Sequence, residues 1–259
     1  MNEKLLKLKR FNLIMGLIHL VQGIIMLLLS SRVIETIGEF KPQIIQYYQI
    51  FNPETQSLET ASKDLFLLPF GLLVASFLLI SALAHGLVVL NENTYFKGLK
   101  EGINRFRWFE YALSSSIMIV LIATLFGVYD IGSLLLIFLL NASMNLFGLV
   151  MEEINSQRQE RALKWGPFIW GTIAGLGSWL VILLYMTGTG NLDMVPWFVW
   201  AIVISYFIAF NTFPINMILQ YKQVGPWSNY LYGERVYIIL SLVAKSILAW
   251  LVLFGAMQP

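Results

Sequence analysis

Four residues in this chain pair titratable chemistry with surroundings that exclude water. His19, His85, Glu110 and Lys245 each stand inside a long apolar run, and the two histidines are the only ones in the protein. An ionisable group within a bilayer costs about 2.5–3.5 kcal/mol on insertion scales, so each invites a functional reading. Lys245 is the sharpest. It sits in VYIILSLVAKSILAWLVLFGA (236–256), with about ten apolar-dominated residues on either side. At ~1.5 Å per residue that is roughly 15 Å from each interface, beyond what a lysine stem can span by snorkelling. A buried structural salt bridge is the plain explanation. The chemical one is an amine held out of water, suited to condensation with an aldehyde.

Glu110 lies about one turn into its own apolar run, and helical side chains lean toward the amino terminus. Lys245 should therefore lean back to about the depth of Glu110, with His85 at a similar level. Ser81 precedes His85 by four residues, Ser114 follows Glu110 by four and Ser241 precedes Lys245 by four. Each pair shares a helix face, so the three segments can gather their polar groups into one layer. His19 and Gln22 share a face deeper in the first run, where a polar pair more often joins helices than relays protons. SYFIAFNTFPINM (205–217) combines aromatics with Pro214, a residue that kinks helices, and its aromatics could wall an apolar ligand.

The elements that position these residues follow from composition. The 259 residues are 58% hydrophobic and 12% charged, against roughly 45–50% and about 25% in an ordinary globular domain. This is the composition of a polytopic membrane protein. Seven stretches reach the ~20 apolar residues that a span needs: about 11–30, 65–90, 107–128, 131–151, 166–187, 195–219 and 235–257. They are too long and too unalternating for barrel strands, so helices are expected. The fold class is an all-α membrane protein, one seven-transmembrane-helix bundle over 1–259, with KLLKLKR opening a retained first span and not a cleaved signal.

Lys and Arg set the orientation. One side holds Lys4, Lys7, Lys9, Arg10, Lys97, Lys100, Arg105, Arg107, Arg158, Arg161, Lys164, Lys222 and Arg235, which is thirteen; the other has Arg32, Lys41 and Lys63. The amino terminus is expected in the cytoplasm and the carboxyl terminus outside. The first external segment, about 31–64, is the only long loop and carries Glu35, Glu39, Glu54, Glu59 and Asp64. Within it QIIQYYQIF (43–51) reads as a short strand ended by Asn52-Pro53. GTIAG (171–175) gives a GxxxG spacing in the fifth span, suited equally to packing inside one bundle or to dimerisation.

Cysteine is absent, which excludes disulfides, thiolate metal sites and cysteine nucleophiles. No metal-ligand spacing and no nucleophile–base–acid set is present, so no enzyme activity and no metal are expected. A net charge of +2 with no basic aromatic-laced surface gives no sign of nucleic-acid binding.

Seven helices, a mid-span lysine in the last and a carboxylate in the third resemble a retinal-binding rhodopsin. The cytoplasmic amino terminus is the inverted topology of heliorhodopsins. The end of the chain is similar to that family: FNTFPINMILQYKQVGPWSNYLYGE (210–234) before the last helix and SLVAKS (241–246) around the lysine. WFEY (108–111), SALAH (81–85) and the long first external loop also fit, and the resemblance covers all seven helices.

The resemblance implies all-trans retinal on Lys245 as a protonated Schiff base, with Glu110 as counterion. It implies Ser241 and Ser81 hydrogen-bonding nearby, and His85 and His19 in a polar, water-containing cavity. Phe210 takes the sixth-helix pocket position, and Asn141 and Met144 lie on the fourth-helix stretch lining the chromophore. The implied function is light sensing in a homodimer, embedded in membrane lipids and read by a cytoplasmic signalling partner, without ion pumping. Two alternatives stand beside it. One is a light-gated ion channel or transporter. The other is a retinal-free small-molecule transporter that uses Lys245–Glu110 as a substrate salt bridge. Pumping needs titratable steps across the whole bundle, whereas Leu121, eleven residues beyond Glu110, is apolar, and Asp130 and Asp193 lie at external loop level.

Overall fold

The computed structural model describes residues 2–30, 41–156, 162–188, 190 and 192–256. Arg32, Glu35, Glu39, Arg158 and Arg161, used above for loop charge, lie outside these. The elements in chain order are α1 (Asn2–Leu28), β1 (Gln43–Asn52), β2 (Ser57–Leu67), α2 (Phe70–Leu90), α3 (Glu92–Glu101), α4 (Arg105–Leu125), α5 (Ile131–Ser156), α6 (Gly166–Gly188), α7 (Trp197–Tyr221) and α8 (Tyr230–Ala256). All but α3 among the helices are long and apolar enough to cross a membrane, seven in total. Their outward faces carry large apolar side chains such as Leu17, Leu83, Leu136, Leu184 and Ile208, the pattern of helices solvated by lipid.

One expectation needs correction at the first long loop. The second span does not begin at 65 but at Phe70, because Ser57–Leu67 forms β2. The strand expected at 43–51 is present, and β2 pairs with it antiparallel, Tyr48 opposite Ala61 and Asn52 opposite Ser57. Asn52 does more than end the strand: its Oδ1 accepts the Glu54 amide at 2.9 Å and its Nδ2 donates to Glu59 Oε1 at 2.7 Å. At the root, a bulge between Ile44 and Ile45 turns the Ile45 amide onto the Tyr129 carbonyl, 3.0 Å away. Ile44 is fully buried there, so the hairpin is pinned to the α4–α5 turn. Asp130, in that turn, accepts from the Ser133 amide at 2.7 Å and caps α5.

At the opposite end, α3 is a short amphipathic helix not expected from the sequence. Tyr95 and Leu99 are buried in a cluster with Leu5 and Leu8 of α1, and the helix stops at Gly102, whose φ of 75° suits glycine. The bundle core fills the hairpin end with Phe77, Ile119, Ile122, Ile182, Ile202 and Ala249 among others.

The GxxxG spacing is used inside the bundle. A Cβ on Gly171 would stand 3.1 Å from Phe147 Cβ, and one on Gly175 would stand 2.5 Å from Met144 Sδ. Gly148 of α5 is tighter: a Cβ there would lie 2.2 Å from the Trp108 ring, and that ring is tethered by its indole N–H to Glu152 at 2.7 Å. Gly148→Ala is therefore expected to lower stability by about 1–3 kcal/mol through overpacking, read as a lower thermal or detergent unfolding midpoint. An unchanged midpoint would show that Trp108 can move freely.

Candidate functional site

α2, α4 and α8 bring their polar residues together. Lys245 Nζ donates to Glu110 Oε1 at 2.7 Å and to Ser241 Oγ at 2.8 Å. Ser81 Oγ of α2 donates to the same Glu110 oxygen at 2.6 Å. The lysine and glutamate side chains are 4% and 7% exposed, so the pair is desolvated. A buried pair of this kind is costly to break on one side only. Tyr111 adds its ring face, with centroid 5.2 Å from the lysine nitrogen, and its hydroxyl donates to the Tyr237 carbonyl of α8 at 2.9 Å. Ser114 is fully buried one turn beyond Glu110.

The histidines stack on each other next to this pair, ring centroids 5.6 Å apart and planes 19° from parallel. His85 Nδ1 lies 2.8 Å from Asn12 Oδ1. The Asn12 amide nitrogen faces the Leu8 carbonyl and Tyr95 Oη, so the His85 nitrogen is the donor. His85, Asn12 and Tyr95 thus form a polar chain toward the end where α1 begins. Burial pushes the Tyr95 phenol well above its ordinary range, which keeps it neutral. His19 is fully buried, and neither of its ring nitrogens has a hydrogen-bond partner among the described residues. Gln22, on the same face, accepts from the Trp250 indole at 3.1 Å.

Lys245 also lines one wall of a cavity of about 350 Å³ between α4, α5, α6, α7 and α8. Met118, Met144, Tyr206, Phe210, Phe213 and Pro214 supply apolar walls, and Gly148 and Gly171 give it depth. Pro214 has no N–H to offer the Phe210 carbonyl within the unbroken α7. The fourth-span expectation divides: Met144 lines the cavity, but Asn141 does not. Asn141 is fully buried and donates to Ser115 at 2.8 Å and Ser116 at 3.0 Å. Asn145, one turn on, reaches the cavity in its place and also donates to Ser115, at 3.0 Å. Helical period explains the exchange, since Asn145 repeats the face of Asn141 one turn further along α5.

The spans hold more charge than the four residues singled out. Arg107, counted above with the loop cations, is buried and bridges Glu152 of α5 and Glu234 of α8. That leaves twelve cations against three in the loop tally. Asn104, the α4 cap, donates its amide to Glu152 at 2.9 Å and its side chain to Glu234 at 2.7 Å. Tyr230 donates to Glu152 at 3.3 Å. The missed signal is spacing: Glu234 precedes Lys245 by eleven residues, three helical turns, and Arg107 precedes Glu110 by three.

An apolar cavity of this size, with a few placed polar groups, is the form of a small-molecule site. A lysine amine at its wall suits an aldehyde on a long apolar chain. Seven spans, a buried lysine–carboxylate pair and a methionine- and aromatic-walled cavity are the features that a retinal-binding rhodopsin requires. The chain matches the model of the heliorhodopsin family over residues 8–257. It belongs to that family of light-sensing, multi-pass membrane proteins. No curated protein matches it.

Proposed function

We propose that the protein is a light sensor that holds all-trans retinal on Lys245 and signals without transporting ions. The observation that carries this reading is the 2.7 Å Lys245–Glu110 pair, buried at the wall of the apolar cavity. Retinal, when bound, supplies visible absorption and a light-driven change of shape. The residues do the rest. Glu110 holds the proton at the Lys245 nitrogen in the dark, and Ser81 and Ser241 fix the two partners. Met144, Phe210 and Phe213 exclude water. A displaced Lys245 proton has Glu110 nearest, then His85 and the Asn12–Tyr95 chain.

That chain leads toward the amino-terminal end, for which the Lys and Arg bias supports a cytoplasmic location. Among the described residues the hairpin end offers no comparable path. Its packed core is built from residues such as Phe77, Ile119, Leu121 and Ile202, and its acids Asp130 and Asp193 belong to turns. The proton therefore shuttles on one side, and helix movement carries the signal. A homodimer and a cytoplasmic signalling partner complete this reading.

All-trans retinal added to cells expressing the chain should produce a visible band that hydroxylamine abolishes. Illuminated cells in unbuffered medium should then show no sustained, protonophore-sensitive pH change, and patch recordings no steady photocurrent. A steady current that reverses with voltage would make the channel reading correct. Cells that never colour would sink the retinal reading itself.

A further inference from the structure

We infer that the Arg107–Glu234 pair is a positioning device for Glu110 and Lys245, acting on them through α4 and α8; the inference rests on the retinal reading above. The facing sides of the two helices carry an acid and a base each, in opposite order. On α4, Arg107 and Glu110 are three residues apart; on α8, Glu234 and Lys245 are eleven apart. Eleven residues are about three turns, so Glu234, Tyr237, Ser241 and Lys245 share one face. That face meets α4 three times: Glu234 at Arg107, the Tyr237 carbonyl at the Tyr111 hydroxyl, and Lys245 at Glu110.

Only one register satisfies all three. A slip of α8 by one turn, about 5.4 Å, would bring like charges closer and break both ion pairs. The lower pair also cannot drift with α8. Arg107 is held by Glu152 of α5, and Glu152 is held in turn by the Trp108 indole and the Asn104 amide. The other groups that fix the upper pair do not tie α4 to α8: Ser241 lies on the helix of Lys245, and Ser81 reaches Glu110 from α2. Together with the Tyr111–Tyr237 bond, the ion pair near the helix starts therefore sets how Glu110 meets the lysine nitrogen. By reciprocity, loss of the upper pair loosens the lower one.

The test uses variants that keep the local charges sound. The cluster has one arginine and two carboxylates, so Glu234→Gln leaves a balanced Arg107–Glu152 pair. Glu234→Asp keeps the charge and only shortens the reach. Arg107→Lys keeps the charge but loses the fork that grips two carboxylates. The groups facing the Lys245 nitrogen are Glu110 and Tyr111 of α4, His19 of α1, His85 of α2 and Ser241 of α8, and all remain in each variant.

After loading with all-trans retinal, each folded variant should show a displaced visible band and a titration midpoint moved by about one pH unit. Dark recovery after a flash should change several-fold. Glu153→Gln, which breaks the exposed Arg105–Glu153 pair at the same end, should change none of these. Normal spectra, midpoints and recovery in Glu234→Asp and Arg107→Lys would overturn the inference. So would an effect confined to Glu234→Gln, which would be the field of a charge and not a position. A colourless unmodified protein would overturn the retinal reading and this inference with it, whereas a coloured one with unmoved variants overturns this inference alone.

Discussion

Lys245→Ala protein, expressed with all-trans retinal, is expected to be colourless, a complete loss of the visible band. Among the described residues the lysine is the only amine lining the cavity and the only buried Lys. Absence of colour could also follow from failure to fold. Removing the amine strands Glu110 in a site 7% exposed, and breaking a buried pair on one side costs about 3–5 kcal/mol. The double variant Lys245→Ala/Glu110→Gln leaves no stranded charge and should fold while remaining colourless. Retinal supplied together with n-propylamine should return a band to the single variant, since the truncated side chain leaves room for the small amine beside Glu110. A coloured Lys245→Ala protein without added amine would remove Lys245 from the reading.

The residues legible in the sequence were those whose type contradicted their surroundings. Lys245 and Glu110 stand out because an apolar run gives a charge no default explanation, and side-chain tilt then brings the two to one depth. The structure puts them 2.7 Å apart. Arg107, Glu152 and Glu234 escaped for the converse reason. They sit where apolar runs end, and charges at span ends are the ordinary case. Only the α5 and α8 helices, longer than their apolar runs, carry Glu152 and Glu234 inside the bundle.

The hairpin divides along similar lines. β1 could be read from its β-branched and aromatic residues and from Asn52-Pro53. β2 could not, since its burial pattern is exposed along almost its whole length and Glu59, Lys63 and Asp64 give no alternation. Its last residues, DLFL, merge with the apolar run of α2, so that run begins five residues before the helix. The cavity was legible in part: the aromatics of 205–217 could be read as walls for an apolar ligand, and Tyr206, Phe210 and Phe213 line it, but its depth could not be read. Its depth depends on Gly148 and Gly171 facing Trp108 and Phe147 across helix interfaces, a relation between segments that no single run contains.

Glu110→Gln is expected to lower the midpoint at which the Lys245 nitrogen loses its proton by about 1–3 pH units, because losing an adjacent opposite charge disfavours the charged form. The sign runs one way only. In the unmodified protein the glutamate stabilises the protonated nitrogen, so that form persists to higher pH; without the charge it is lost at lower pH, and at neutrality the band should shift toward the unprotonated species. Glutamine is nearly isosteric, and its carbonyl can still accept from Ser81 and the lysine nitrogen, so the change isolates charge from shape. The other buried carboxylates among the described residues, Glu152 and Glu234, are already held by Arg107 and cannot substitute without leaving it. A small anion could enter the vacated charge position, so the titration should be run in chloride and in sulfate. A midpoint restored in chloride but not in sulfate would mark such rescue and still assign the role to Glu110. A midpoint unchanged in both salts would mean that another group balances the lysine charge. His19 and His85, which stack beside the pair, could not be that group, since protonation would give them the same sign as the nitrogen they face.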